Sequence, residues 1–186
     1  MHTYLILLRG INVGGKNTIP MAKLKVCLEE LGCTNVTPYI QSGNVIVQSD
    51  RSAKALTKIV EETLPKKFTL DSTVIKILVL TKDELQKVVQ SKPSGFGDQP
   101  DTYYSDVIFL IGITTAEAMS IFRPRTGVDT VWEGESVIYL ERLGAERTKS
   151  RLKDVMSSPL YKSMTIRNWN TTTKLLEMMK NIPTRG

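Results

Sequence analysis

Residues 39–48 read Tyr-Ile-Gln-Ser-Gly-Asn-Val-Ile-Val-Gln, and residues 131–140 read Val-Trp-Glu-Gly-Glu-Ser-Val-Ile-Tyr-Leu. Each stretch holds strand-forming residues on both sides of a glycine with polar neighbours, which is the pattern of a β-hairpin. The two hairpins occupy the same place in two halves of the chain, each ordered strand, helix, hairpin, helix, strand, helix. Because side-chain identity between the halves is slight, the repeat is one of pattern and spacing, and it indicates an internal duplication.

The order of elements within each half predicts the fold class. Apolar runs predict the strands outside the hairpins, at residues 3–9, 73–80, 107–111 and 164–167. The capping boxes Thr81-x-x-Glu84 and Thr114-x-x-Glu117 predict helix starts, and Pro65 predicts the end of the helix that follows the first hairpin. The order βαββαβ is the ferredoxin-like pattern, and here a further helix follows each unit. We therefore predict an α+β protein of two tandem ferredoxin-like βαββαβ(α) units, with antiparallel sheets and helices packed on one face. One sheet fused from both halves is the alternative.

A stretch rich in proline and glycine separates the two halves and predicts the domain limits. The expected organisation is a first unit at residues 1–92, a linker at residues 93–103 and a second unit at residues 104–186. Units of about 90 residues are near the lower limit of independent stability, so the two would gain from packing together.

Composition and charge exclude several classes of protein. The hydrophobic share is 41% and the charged share 24%, which is ordinary for a globular protein. The apolar run Tyr4–Leu8 is too short for a signal peptide or a membrane span, so we expect a cytoplasmic protein with no membrane partner. Residues 141–186 carry ten Lys and Arg against four acidic residues, whereas residues 31–140 carry eleven against thirteen. Such a basic segment attracts nucleic acid or other polyanions, or it is a solvated surface without a dedicated partner.

The connection after the first strand is the main candidate site. Residues 9–17 read Arg-Gly-Ile-Asn-Val-Gly-Gly-Lys-Asn and lead into a helix. Glycines allow backbone N–H groups to turn toward a ligand, a helix start favours anions, and Arg9 and Lys16 would bind phosphate by charge-assisted bonds. The glycine spacing is neither that of a P-loop nor that of a Rossmann fingerprint. The predicted ligand-binding residues in this connection are Arg9, Asn12, Gly14, Gly15 and Lys16. The alternative is a strand-to-helix turn whose glycines relieve strain and whose Arg9 pairs with a carboxylate.

The first hairpin supplies the rest of the candidate site. Alternation along a strand places Tyr39 and Gln41 on one face, and together with Asn44 they would line an open polar face beside Arg9. Sheet faces of this kind bind single-stranded RNA when aromatic side chains stack on bases. The alternative is a tight turn at Ser42-Gly43-Asn44 with Tyr39 packed at an edge.

Other features of the sequence indicate structural roles rather than ligand binding or catalysis. Trp169 beside Arg167 could stack on a base, but a helix cap with a packing tryptophan is the favoured interpretation. The sole histidine is His2, so no His-based triad, zinc site or His general base is expected in the body of the chain. Cys27 shares a helical register with neighbouring leucines and is predicted to be a buried core thiol, and its spacing from Cys33 suits neither a metal nor a disulfide framework. We expect no cofactor and no metal, and we assign no catalytic residue.

Several of these motifs resemble a known family. Residues 7–16 (Leu-Leu-Arg-Gly-Ile-Asn-Val-Gly-Gly-Lys), residues 19–21, residues 39–45 and residues 165–169 resemble domain of unknown function 1697, a family of uncharacterised bacterial proteins. The likeness runs nearly end to end. It implies a cytosolic protein with both helices and strands, and it implies no established activity and no catalytic residues.

The sequence thus favours a non-enzymatic protein that binds nucleic acid or another anionic, phosphate-bearing ligand. The second hypothesis is an enzyme acting on a small phosphorylated substrate, with Arg9 and Lys16 as anion clamps. The third is a structural or interaction module whose motif serves only the fold. The sequence leaves the oligomeric state open.

Overall fold

The computed structural model describes residues 1–71 and 75–182, and within these residues it has eight strands and six α-helices. The strands are β1 (His2–Leu8), β2 (Thr34–Tyr39), β3 (Asn44–Ser49), β4 (Ile77–Thr81), β5 (Tyr103–Leu110), β6 (Asp129–Glu133), β7 (Val137–Leu143) and β8 (Met164–Asn168). The helices are α1 (Met21–Glu30), α2 (Ala53–Lys67), α3 (Lys82–Gln90), α4 (Thr115–Met119), α5 (Leu152–Ser157) and α6 (Trp169–Lys180).

By contact the chain divides into two compact units. Unit 1 is Met1–Leu85 together with the chain from Lys174 onward, and unit 2 is Gln86–Thr173. The division falls inside α3 and inside α6, so each of these helices contributes to both units. The domain limits expected from the sequence, residues 1–92 and 104–186, concern which segments fold alone and stay a prediction.

Unit 1 contains a four-stranded antiparallel sheet in the order β2-β3-β1-β4. Alternate residues of the central strand β1, Tyr4, Ile6 and Leu8, pack in one apolar cluster with side chains from α1 and α2. This arrangement of strands and helices is the ferredoxin-like topology that the order of elements predicts.

The opposite face of this sheet is buried as well. Leu5, Leu7 and Ile46 lie on that face by alternation, and all three are 0% exposed. The expectation of an open, polar sheet face beside Arg9 is therefore wrong. A continuous apolar run in a central strand predicts burial on both faces, and this signal outweighs the analogy with RNA-binding sheets.

Unit 2 repeats the topology with the order β6-β7-β5-β8. The pairings correspond position by position: Leu8 faces Ile77 in the first sheet, and Leu110 faces Met164 in the second. Two separate sheets exclude a single fused sheet, and the predicted pair of ferredoxin-like units is confirmed.

The residue that ends the last strand of each unit also starts the following helix. Thr81 and Glu84 form the predicted capping box of α3, and the side-chain oxygen of Asn168 accepts a hydrogen bond from the Thr171 N–H of α6 at 2.7 Å. Both capping residues pair with the equivalent position of their central strand, Tyr4 or Asp106. The duplication therefore extends to the way the helices begin.

Two local predictions need correction. Pro65 does not end α2, which continues to Lys67 with the proline inside its last turn. The predicted strand at residues 73–80 begins at Ile77 within the described residues, while positions 73 and 74 lie outside them.

The segment between the two sheets packs on unit 2. Phe96 is fully buried, and its ring makes edge contacts with Trp132, Tyr139 and Trp169 at centroid distances of 5.9, 5.1 and 5.3 Å. A Cβ at Gly97 would lie 2.4 Å from the Trp169 ring, so only glycine fits there. The connecting residues are thus part of the apolar packing of unit 2.

Both cysteines are buried, as predicted for Cys27. Cys27 is 4% exposed and Cys33 is 3% exposed, and burial raises the pKa of each thiol. No helix among the described residues is long and apolar enough to cross a membrane.

The buried Tyr139 hydroxyl generates a prediction about pH. It donates a 2.6 Å hydrogen bond to the Val88 carbonyl near the end of α3, and burial raises its pKa to about 12. We expect Tyr139→Phe to lower the free energy of unfolding by about 1–2 kcal/mol at pH 7. In the unfolded chain the Tyr139 hydroxyl ionises near pH 10. The stability that wild type gains from this hydroxyl is therefore complete below pH 10 and is lost as the pH rises through about 12.

Urea unfolding curves at pH 7 and pH 11 test this expectation. The difference between wild type and Tyr139→Phe should shrink by about 1 kcal/mol at pH 11. Tyr104→Phe, which removes a hydroxyl from an exposed ring, is the control. A difference that stays constant with pH would contradict the buried hydroxyl.

Candidate binding site at the first strand-to-helix connection

The connection between β1 and α1 is longer than its counterpart. It runs over residues 9–20, whereas β5 and α4 are joined by residues 111–114 alone. Both begin in the same way, since the N–H groups of Arg9 and Ile111 donate to carbonyls beside the neighbouring strand, and Gly10 and Gly112 have φ of 70° and 72°. Most of the additional length is residues 13–18, which we call the excursion. All of its side chains are exposed or half-exposed.

Asn12 fastens the base of the excursion. Its side-chain oxygen accepts from the Ile19 N–H at 2.8 Å, and its amide nitrogen donates to the Ile19 carbonyl at 3.0 Å and to the Gln41 carbonyl at 2.9 Å. The last bond joins the connection to the turn of the first hairpin. Asn12 adopts a φ of 55°, which asparagine tolerates better than most residues.

The tip of the excursion is a tight glycine turn. The Lys16 N–H donates to the Val13 carbonyl at 3.1 Å, and the two residues between them, Gly14 and Gly15, have φ of 59° and 75°. Two successive positive φ values define the type I′ hairpin turn. Among the described residues, the N–H groups of Gly14 and Gly15 have no acceptor, and no atom lies within 4 Å of where a Cβ would stand. The turn therefore exposes the backbone N–H groups of Gly14 and Gly15 to solvent.

The hairpin turn beside the excursion is held from within. Asn44 is fully buried, and its amide donates to the Tyr39 carbonyl at 3.2 Å and to the Ser42 hydroxyl at 2.9 Å. Gly43 has a φ of 75°, and a Cβ there would lie 3.0 Å from side-chain atoms of Leu8 and Ile11. The tight-turn interpretation of Ser42-Gly43-Asn44 thus describes the local structure.

The predicted site residues separate into two groups. The amides of Asn12 and Asn44 are already used inside the protein, so these residues position the loops. Arg9 is half-buried at the end of β1, Lys16 and Gln41 are exposed, and Tyr39 is half-exposed at the end of the edge strand β2. Gly14, Gly15, Lys16 and Gln41 are the predicted residues that the structure leaves accessible.

An acidic residue also lies at this connection. The Asp71 carboxylate accepts a hydrogen bond from the Asn17 N–H at 2.7 Å. Sequence reasoning missed this contact, because Asp71 is 54 residues away and follows α2. Its charge offsets part of the positive charge that Lys16 supplies.

Exposed apolar residues at the two turns were also missed. Val13 is 66% exposed and Ile40 is 52% exposed, and Ile40 adopts a φ of 50°, which a β-branched residue rarely does. The available signal was a β-branched residue directly beside turn-forming residues in both stretches. The surface around the two turns therefore contains exposed apolar side chains as well as polar groups.

The other predicted stacking element is structural. Burial lowers the pKa of Arg167 to about 10, and its guanidinium donates to the Thr165 hydroxyl and the Ile166 carbonyl at 2.8 Å. Asn168 caps α6 and Trp169 packs on Phe96, so the favoured interpretation of a helix cap and a packing tryptophan describes the local structure. Within the described residues, no group of three or more His, Cys, Asp or Glu side chains could hold a metal ion.

Comparison with known proteins identifies a family and a protein of similar fold. Residues 1–139, which include the whole connection and both turns, match the family described as protein of unknown function DUF1697. The chain belongs to this family. Its fold is similar to that of the conserved bacterial protein SP0830 from Streptococcus pneumoniae, with a TM-score of 0.81 and 26% sequence identity over 96% of this chain and 98% of that one. No curated protein matches the chain.

Two glycines at positive φ give a matched pair of substitutions. Gly15→Ala meets only the backbone penalty and should lower the free energy of unfolding by about 1 kcal/mol. Gly43→Ala adds close contacts with Leu8 and Ile11, so we expect a loss of about 2–4 kcal/mol. Urea unfolding of the two variants checks the difference. Equal losses would show that the hairpin turn is not packed against β1 as described.

Proposed function

We propose that this protein binds a phosphate-bearing ligand, nucleic acid being one source, at the excursion of the first connection. The observation that carries the proposal is the exposed Gly14-Gly15 turn, whose two N–H groups lack acceptors next to Lys16. Fixed backbone N–H groups beside a cation are a common arrangement for binding phosphate oxygens.

The duplication supports a functional origin for the excursion. Unit 2 joins the equivalent strand and helix with four residues and a capping box at Thr114. The fold therefore has a short solution for this connection. The added residues 13–18 bury no side chain, so they contribute little to the core. A solvent-exposed loop that the fold does not require is where binding residues tend to lie.

The contacts of Asn12 support the proposal in a second way. A loop that is already ordered loses little conformational freedom when a ligand binds, which improves affinity. Asn12 ties both ends of the excursion and the hairpin turn together through its hydrogen bonds. Gln41 and Lys16 are thereby held next to a structured turn.

Arg9 and Lys16 supply the charge in this proposal. Arg9 lies at the start of the connection and Lys16 at its tip, and the Asp71 carboxylate at the same connection is engaged by the Asn17 N–H. We expect binding of moderate affinity that weakens as salt screens the charges. A cytoplasmic location, where such ligands are abundant, is part of the proposal.

Thermal unfolding with added ligands tests the proposal. The probes are pyrophosphate, a nucleoside triphosphate and a single-stranded RNA of about 12 nucleotides, each at low and at high salt. At least one should raise the Tm at low salt, and the shift should fall at high salt, because a ligand that binds the native state stabilises it. Preference for RNA would identify nucleic acid as the source of the phosphate, and conversion of the triphosphate would favour the enzyme hypothesis.

Substitution of Lys16 connects the shift to the excursion. Lys16→Ala should remove most of the ligand-induced shift in Tm. Lys54→Ala removes an exposed cation from α2 and should leave the shift intact. Equal effects of the two substitutions would mean that the ligand responds to net charge alone, which contradicts a site at the excursion.

The double variant Arg9→Ala with Lys16→Ala separates binding from folding. On the proposal it abolishes ligand binding while changing the free energy of unfolding by about 1 kcal/mol or less, because Lys16 is exposed and Arg9 is half-buried rather than enclosed in the core. If Arg9 instead pairs with a buried carboxylate, its loss should cost about 3 kcal/mol or more. A urea unfolding curve of the ligand-free protein distinguishes these results.

A further inference from the structure

A second surface, in unit 2, combines an exposed aromatic ring with arginines. Tyr104 lies near the start of β5 and is 49% exposed. Among the residues that the structure describes, no other Phe, Tyr or Trp is exposed. We call the surface formed by Tyr104, Arg142 and Arg147 the Tyr104 patch.

Two guanidinium groups lie over the Tyr104 ring. The central carbon of the Arg147 guanidinium is 4.9 Å from the ring centroid, and that of Arg142 is 5.9 Å away. Arg142 faces Tyr104 directly across the β5–β7 pairing, whereas Arg147 follows β7 in a short 3₁₀ turn at Gly144–Lys149. Sheet register and a tight turn therefore bring the three side chains together.

The patch is held in place by buried contacts. Arg142 forms an ion pair with the Asp106 carboxylate, and both side chains are mostly buried. The Nε atom of Arg142 is buried and has no hydrogen-bond partner among the described residues. The Gly144 N–H donates to the Thr102 carbonyl at 2.9 Å, which closes the chain around the edge of the Tyr104 ring. The ring therefore projects from a fixed base.

The chain that follows the patch is strongly basic. Exposed cations continue into α5 at Arg147, Lys149, Arg151 and Lys153. Three acidic residues are nearest in sequence to these cations. Glu146 pairs with Lys149, and Asp154 lies in α5. Glu141 is buried and accepts hydrogen bonds from the Gly97 N–H and the Ser105 hydroxyl.

Asp101 is exposed three residues before Tyr104, and the buried Asp129 faces Arg142 across the β6–β7 pairing. Residues 142–153 carry five cations against Glu146 alone, so the excess of positive charge lies on the segment that follows the ring.

We infer that the Tyr104 patch binds single-stranded nucleic acid, with a base stacked on the Tyr104 ring and neighbouring phosphates on Arg147 and the cations beyond it. Aromatic stacking combined with a basic track is how proteins hold single strands without reading their sequence. The Arg147 guanidinium is planar and already lies over the ring, so it can stack on a base or pair with a phosphate. Duplex bases are stacked on each other and cannot reach the ring.

This inference is independent of the proposed function. The excursion belongs to unit 1 and the Tyr104 patch to unit 2, and they share no residue. Loss of binding through Lys16→Ala would therefore not remove stacking on Tyr104. Conversely, failure of the Tyr104 variants below would leave the excursion proposal intact.

The competing explanation is that Tyr104 and Arg147 only stabilise each other. A cation–π contact of this kind contributes to stability without any ligand. The two explanations differ in what they require of position 104, because stacking needs an aromatic ring whereas covering the surface needs only an apolar side chain. Tyr104→Leu and Tyr104→Phe are therefore the informative pair.

Fluorescence anisotropy with labelled oligonucleotides tests the inference. The probes are a 12-nucleotide oligo-dT, an RNA of the same length, an abasic oligomer of the same length, a 12-base-pair duplex and a mononucleotide. Wild type should bind both single strands more tightly than the duplex, the abasic oligomer or the mononucleotide. Tyr104→Leu should weaken binding to the single strands about tenfold or more, with less than about twofold effect on the abasic oligomer. Tyr104→Phe should bind as wild type does.

Charge variants complete the experiment. Arg147→Ala should weaken single-strand binding and reduce its salt dependence, whereas Lys162→Ala, an exposed cation outside the patch, should change the Kd by less than about twofold. Far-ultraviolet circular dichroism confirms that each variant is folded. Equal affinity of Tyr104→Leu and wild type for single strands overturns the inference, and so does equal binding of duplex and single strand. Absence of binding to every oligonucleotide at low salt overturns it as well.

Discussion

Burial of the central strand on both faces is the constraint on which this structure depends. In β1 the consecutive residues Leu5, Ile6 and Leu7 are all 0% exposed, and Val107 and Ile108 are equally buried in β5. The side chains of these residues are all buried in the core, so none of them is accessible to a ligand. Burying polar groups without partners is costly, so ligand-binding groups are expected where strands end rather than along the buried part of a central strand. Both surfaces that we assign to ligands begin at an end of a central strand.

The duplicated fold allows the two halves to be compared as an internal control. Equivalent positions keep equivalent structural roles: the hydroxyls of Thr3 and Ser105 pair with the side chains of Gln48 and Glu141, and Thr81 and Asn168 both start helices. Where the halves differ, the topology that they share does not by itself account for the difference. The excursion at residues 13–18 occurs only in unit 1, and the exposed Tyr104 occupies a position that is His2 in unit 1.

Much of the fold could be predicted because its signals are local. Capping boxes at Thr81 and Thr114, and apolar runs in the strands, specify elements whose order leaves few topologies. The error at Pro65 also has a local cause. Proline excludes a hydrogen bond to the residue four positions earlier, but near the end of α2 the helix continues for two more residues.

The candidate site was less predictable, because its decisive contacts are not local. Glycine and lysine marked the first connection in the sequence, but the bond from Asn12 to the Gln41 carbonyl and the contact of Asp71 with Asn17 appear only in three dimensions. The same holds for Tyr104, which is an unremarked strand residue until the register of β5 and β7 places Arg142 opposite it. The sequence therefore identified a loop, and the structure determined which of its groups are accessible.

If the excursion binds phosphate as we propose, the backbone N–H groups of Gly14 and Gly15 contact it. The most direct test is a titration of ¹⁵N-labelled protein with pyrophosphate and with a short single-stranded RNA, followed by two-dimensional ¹H–¹⁵N spectra. Glycine amides fall in a separate region of such spectra, and the remaining glycines provide internal references. The account predicts saturable shifts of the Gly14 and Gly15 signals, with Gly127 unchanged. Saturable shifts elsewhere while the Gly14 and Gly15 signals stay fixed would contradict it.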